Sequence, residues 1–222
     1  MATLKTERLD AEDFREQPVV LCGKSFVAQH SGALYWPAED ALIIAGLPLG
    51  PGHETRAALA RLASALDATP ATGVIVLGPI LSEPSGSDLA GLRILQEGRD
   101  WIWITGARGQ SADANLGGHS ADAVTIAGIT LRHTPSSGRV THEIAGGLNP
   151  VARVMRGGHS FRRPCFASTG QRLILPAFAL AGGGLNILDP ACEPLFGHDG
   201  LKVWLIGHEG IYPVAARLLR ED

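Results

Sequence analysis

Eight histidines, three cysteines and a cluster of arginines are the residues of this sequence whose types could do chemistry. The histidines, scattered from His30 to His208, make neither an HxH nor an HExxH spacing, so no local pair of imidazoles is set up for a metal. Cys22, Cys165 and Cys192 are odd in number and far apart, which reads as reduced thiols in a core rather than a zinc or redox site. There is no GxSxG elbow and no Walker-type glycine loop. Gly182-Gly183-Gly184 has backbone N–H groups able to cradle a phosphate, although a tight turn before Leu185 is the simpler reading. The densest charged group is basic: Arg153, Arg156, Arg162 and Arg163, with His159, in a Gly-rich hairpin. Guanidinium groups suit bidentate phosphate contact, and Phe161 adds one stacking face. A solvated hairpin would carry the same residues.

The elements that must position these groups follow from apolar periodicity. Val19–Cys22 and Ser25–Ala28 read as a first hairpin, and Ala33–Trp36 as a further strand. Ala41–Ala45, Gly73–Gly78 and Trp101–Ile104 are continuous apolar runs, as expected of strands covered on both faces. Between them, Glu54–Ala68 repeats Ala58, Leu59, Leu62, Ala65 and Leu66 at helical spacing, and Asp88–Glu97 reads as a second helix. The first half is thus a layered α/β unit. In the second half Val124–Leu131, Val140–Ile144, Val151–Met155, Arg172–Leu175 and Lys202–Ile206 are short runs broken by Gly and Pro, and are expected to be antiparallel strands. Residues 1–16 are polar and read as a flexible tail before a single domain over 17–222.

A net charge of −3 gives no global pull toward nucleic acid, so any such contact has to be local. No signal-peptide core and no membrane-length apolar stretch is visible, and a cytoplasmic protein without membrane partners is the expectation.

Several strings together resemble one family: Ser31 to Asp40 (SGALYWPAED), Thr55 to Leu59 (TRAAL), Gly98 to Trp103 (GRDWIW), Leu131-Arg132-His133, Arg163 to Phe166 (RPCF), Leu175 to Phe178 (LPAF) and Gly183 to Pro190 (GGLNILDP). In this order, from about residue 30 to the end, they are similar to the DNA-ligase-associated metallophosphoesterases (PdeM type) of the calcineurin-like phosphoesterase superfamily. The resemblance implies a four-layer α/β/β/α sandwich of two mixed sheets. It also implies two divalent metals, manganese or similar, that make hydroxide from water and neutralise phosphoryl charge.

The family's ligand positions do not hold ligands in this chain. Where the resemblance expects Asp-x-His, the sequence has Gly46 and Pro48 if the loop is substituted, or lacks the loop if it is deleted. The first alignment keeps the spacing of Ala45, Leu47, Leu49 and Gly52. Pro79 stands for the bridging Asp, Ala107 and Arg108 for Asn-His, and Gly147 and Asn149 for the two imidazoles of Gly-His-x-His. His133 alone matches an expected ligand, and one imidazole is far too weak to hold two metals. The expectation is therefore no cofactor and no catalytic residue, in a binding or scaffold module whose partners are DNA or DNA-repair proteins by family resemblance. The alternative is a metal-dependent phosphodiesterase or DNA endonuclease with a residual or rebuilt site.

Overall fold

In the computed structural model, residues 14–50, 53–78, 85–106, 116–179, 183–197 and 200–222 are described. The chain begins with a hairpin, β1 (Glu16–Leu21) and β2 (Lys24–Gln29). Leu21 pairs with Lys24, and Cys22 and Gly23 take positive φ of 50° and 77°. That is the two-residue turn whose twist matches the flanking strands. The last residues of the expected tail pack against the rest of the chain. Phe14 stacks on Tyr212 with ring centroids 5.4 Å apart, and the Arg15 carbonyl accepts from His30 N at 2.8 Å. The rest of the expected tail, residues 1–13, lies outside the described residues.

β3 (Leu34–Trp36) and β4 (Ala41–Ile44) continue the sheet antiparallel, and β5 (Gly73–Leu77), β6 (Asp100–Ile104) and β7 (His119–Ala121) extend it in parallel. The three apolar runs are thus interior strands, with Ile43, Ile75 and Trp103 at most 2% exposed. Alternate side chains divide between two cores. Leu42, Ile44, Val74 and Val76 meet Ala58, Leu62, Ala65 and Leu66 of α1 (His53–Asp67). α2 (Gly86–Gln96) lies beside it, opened by a capping box in which Ser85 Oγ accepts from Asp88 N and Asp88 Oδ2 accepts from Ser85 N. Ala41, Ile43, Ala45, Ile75 and Leu77 point the other way, into the core between the sheets.

The second sheet is mixed rather than antiparallel. The run expected over Val124–Leu131 is a hairpin, β8 (Ala123–Ile126) and β9 (Ile129–Arg132), turning on Ala127 and Gly128 at φ 45° and 81°. β10 (Glu143–Ala145) runs parallel to β9, and also to β13 (Arg172–Ile174). The 133–142 connection carries the chain back to the starting end, and a hairpin of β11 (Pro150–Arg156) and β12 (His159–Ser168) intervenes before β13. β14 (Leu185–Asn186) and β17 (Leu219–Arg220) flank β11. β15 (Lys202–Ile206) pairs with β12, and β16 (Ile211–Ala215) with β15. This gives the two facing mixed sheets expected. The fourth layer is thin: among the described residues, a turn at Pro190–Cys192 and the four-residue α3 (Glu193–Phe196) cover the outer face of the second sheet, with Ile187, Cys192 and Phe196 in its core.

Backbone hydrogen bonds join the sheets at the β1–β2 turn, where Cys22 N donates to Gly170 O at 2.9 Å, and at the strand ends. Leu175 N donates to Ala145 O and Phe178 N to Ala45 O, both at 2.9 Å, and Ala177 bridges Ala45 in parallel. Part of the LPAF string is this seam, and it ties the end of β4 to the end of β10.

Candidate degenerate metal centre

The carboxyl ends of β4, β5, β6, β9 and β10 converge on His133. Gly46 N donates to Leu77 O (2.9 Å), and Gly78 N to Ile104 O (2.8 Å). Gly146 N and Gly147 N both donate to His133 O, at 3.1 and 2.7 Å. The imidazole lies against the backbone: a Cβ added at Gly147 would sit 2.9 Å from His133 O and 3.1 Å from its Cε1. One added at Gly78 would sit 3.5 Å from His133 Nδ1, and one at Gly106 would sit 3.7 Å from His133 Cβ. Beside His133 is a hollow of about 570 Å³, lined also by Thr105, Gly106, Asp122, Arg132 and Thr134.

Glycine at these strand ends has two physical reasons. At Gly147 the backbone of His133 leaves no room for a side chain. At Gly46 the space is open, but φ is +75°, a left-handed conformation that glycine adopts freely. Pro48 lies between the buried Leu47 and Leu49. Asn149 also has positive φ, 48°, and its carbonyl presses on Gly184, where an added Cβ would overlap it. The glycine at 184 is thus explained by close backbone approach. Pro79, Ala107, Arg108 and Gly182 lie outside the described residues.

The structure therefore brings Gly78 and Gly147 to His133, with Gly46 packed beside Gly78. The donor set does not fit a pair of divalent ions. Among the described residues no three His, Cys, Asp or Glu side chains come together. Burial lowers the pKa of His133, with the Leu77 backbone acting in the opposite sense. Its Nδ1 is buried with no hydrogen-bond partner. Cys165 and Cys192 are not set up as nucleophiles: both are buried, and burial pushes the Cys192 thiol up to about 11 and that of Cys165 higher still.

The loop after His133 is held by a buried ion pair that no local spacing signals. Arg172 Nε donates to Glu143 Oε2 at 2.5 Å, its Nη2 to Ser136 O at 2.7 Å and its Nη1 to Leu195 O at 3.0 Å. Glu143 Oε1 accepts from Ser136 N at 3.0 Å. Arg132 Nε stands 3.2 Å from Glu143 Oε1, a charge contact whose direction does not make a hydrogen bond. Asp122, opposite His133 in the hollow, was also not legible beforehand.

The four hairpin arginines do not form one patch. Arg153 pairs with Arg162 and Ala152 with Arg163, so the pleat sends Arg153 and Arg162 to one face and Arg156 and Arg163 to the other. Arg162 is already held by Asp222 and the Gly184 carbonyl, and Arg153 donates to Ser160 Oγ at 2.6 Å. The Arg162 contact holds the Asp222 carboxyl below the usual carboxylate range.

The fold is similar to the crystal structure of the Pseudomonas putida nuclease MPE, with a TM-score of 0.74 and 27% identity over 90% of this chain and 100% of that one. No protein-family model and no curated protein matches the chain. The structural likeness supports a phosphoesterase or nuclease relationship and a metallophosphoesterase-like fold.

Proposed function

We propose that this chain is a metallophosphoesterase homologue that keeps the sandwich and has given up the hydrolytic centre. Its role is then that of a binding or scaffold module related to bacterial DNA repair. One observation carries the reading: where the strand ends converge, His133 lies against glycine backbone at Gly78, Gly106 and Gly147 instead of further ligands. Hydrolysis of a phosphodiester by this class of site requires two ions that activate water and stabilise the attacking and leaving oxygens. One half-buried imidazole with a lowered proton affinity supplies neither.

The expected outcome is no manganese-dependent hydrolysis of a generic phosphodiester by the purified protein. Saturable, chelator-sensitive turnover overturns the reading. A second reading, a metal-dependent phosphodiesterase with a rebuilt site, draws on Asp122 and His133 lining the same hollow and on the nuclease neighbour. It predicts that Asp122→Asn abolishes that turnover.

A further inference from the structure

A different cleft, sharing no lining residue with the His133 hollow, is built from five separate segments. It has a volume of about 620 Å³. Arg15 and Glu16 come from the start of β1, Gln29 and His30 from the end of β2, and Arg61 from α1. Arg163 comes from β12, and His208 from the β15–β16 turn.

Three guanidinium groups therefore meet one carboxylate, an excess of two positive charges before either histidine is protonated. Glu16 Oε1 accepts from Gln29 Nε2 at 3.3 Å. Elsewhere three arginines meet carboxylates: Arg132 and Arg172 with Glu143, and Arg162 with Asp222. Among the described residues Arg15, Arg61 and Arg163 have no carboxylate partner. Arg163 Nη1 donates to the Arg162 carbonyl at 3.1 Å, which leaves most of its five donors unused. His30 Nε2 lies 2.9 Å from Gly207 O, which fixes the ring at the rim. Burial lowers the pKa of Arg61, the mark of a cation that has lost water without gaining an anion. The whole chain carries −3, so this excess is local and not a sample of a basic surface.

We propose that this cleft binds the phosphate groups of an anionic ligand through Arg15, Arg61 and Arg163. Ser31 and Ser64 add hydroxyl donors at its wall. Among the described residues no Phe, Tyr or Trp lines it, so recognition is of phosphate and not of stacked bases. The site does not depend on whether the degenerate centre hydrolyses anything.

The test is fluorescence anisotropy with a labelled oligothymidylate at low salt, competed by pyrophosphate and by inorganic phosphate. Displacement by pyrophosphate at comparable concentration identifies a small polyphosphate as the ligand. Displacement by unlabelled strand alone identifies a nucleic-acid backbone. Arg61→Ala/Arg163→Ala is expected to weaken binding at least about tenfold, roughly 1.4 kcal/mol. Lys202→Ala/Arg217→Ala, which removes the same charge at exposed positions elsewhere, is expected to stay within about twofold, since long-range charge alone is screened. Should the first pair fail to fold, Arg15→Ala, an exposed position, reads the same loss. Absence of saturable binding to all three probes, or equal affinity in the cleft and control variants, overturns the proposal.

Discussion

Glu143 opens β10 and His133 follows the last residue of the adjacent parallel strand β9, and their surroundings are opposite. The Glu143 carboxylate meets Arg172, Arg132 and the Ser136 amide, and the Arg172 guanidinium spends its remaining donors on two carbonyls. His133 is half-buried, and its Nδ1 has no partner. A saturated buried pair holds geometry, and here it fixes the 133–137 loop against β10, β13 and α3. The His133 imidazole meets the Leu77 backbone and leaves a buried nitrogen unpaired, which costs free energy. A saturated ion pair thus holds the loop that follows His133, while the imidazole itself keeps an unpaired nitrogen.

The largest effect that tests this contrast is on Arg172. Arg172→Ala strands a buried carboxylate and is expected to destabilise the fold by about 3–5 kcal/mol in chemical denaturation. Replacing both partners, Arg172→Met with Glu143→Leu, should recover most of that loss. A small effect of the single change would mean that the pair does not anchor this loop.

Gly147→Ala comes next. Its Cβ meets the His133 carbonyl at 2.9 Å, where backbone has to move, and a cost of about 1–3 kcal/mol is expected. The same crowding bears on restoration of ligands. Gly46→Asp, Pro48→His, Pro79→Asp, Ala107→Asn, Arg108→His, Gly147→His and Asn149→His made together should not give robust turnover, because position 147 has no room for a ligand at its present backbone. Robust manganese-dependent turnover from that variant would show that ligand identity is all that was lost.

The smallest effect is on His133. With its proton affinity lowered in the folded state, the unfolded chain binds more protons in the range between the folded pKa and about 6.5. Stability should therefore fall as pH drops through that range. His133→Leu should flatten this slope while changing stability near pH 8 by less than about 1 kcal/mol, since it removes an unsatisfied polar group. An unchanged slope would place the titration on another group.

The interior strands β4, β5 and β6 were legible because a strand covered on both faces is apolar throughout, and α1 because its buried stripe repeats at helical spacing. β12 was not among the strands expected: its ten residues, beginning His159-Ser160-Phe161-Arg162, carry no simple alternation where the hairpin stands clear of the core. The parallel pairing of β10 was illegible because partner choice is tertiary. The Arg172–Glu143 pair spans 29 positions, and neither residue carries a local sign of it. The four hairpin arginines looked like one group because they are close in sequence, and strand period divides them. His133 and the substituted ligand positions came from the family resemblance; that Gly78 and Gly147 close on His133 came from the structure.

The central claim is that the strand ends no longer make a metal centre. Elemental analysis of the purified protein, followed by calorimetric titration with manganese, tests it most directly. The expected result is no stoichiometric Mn, Zn, Fe or Mg and no saturable heat of binding. Two ions retained per chain, or two bound on titration, would contradict it.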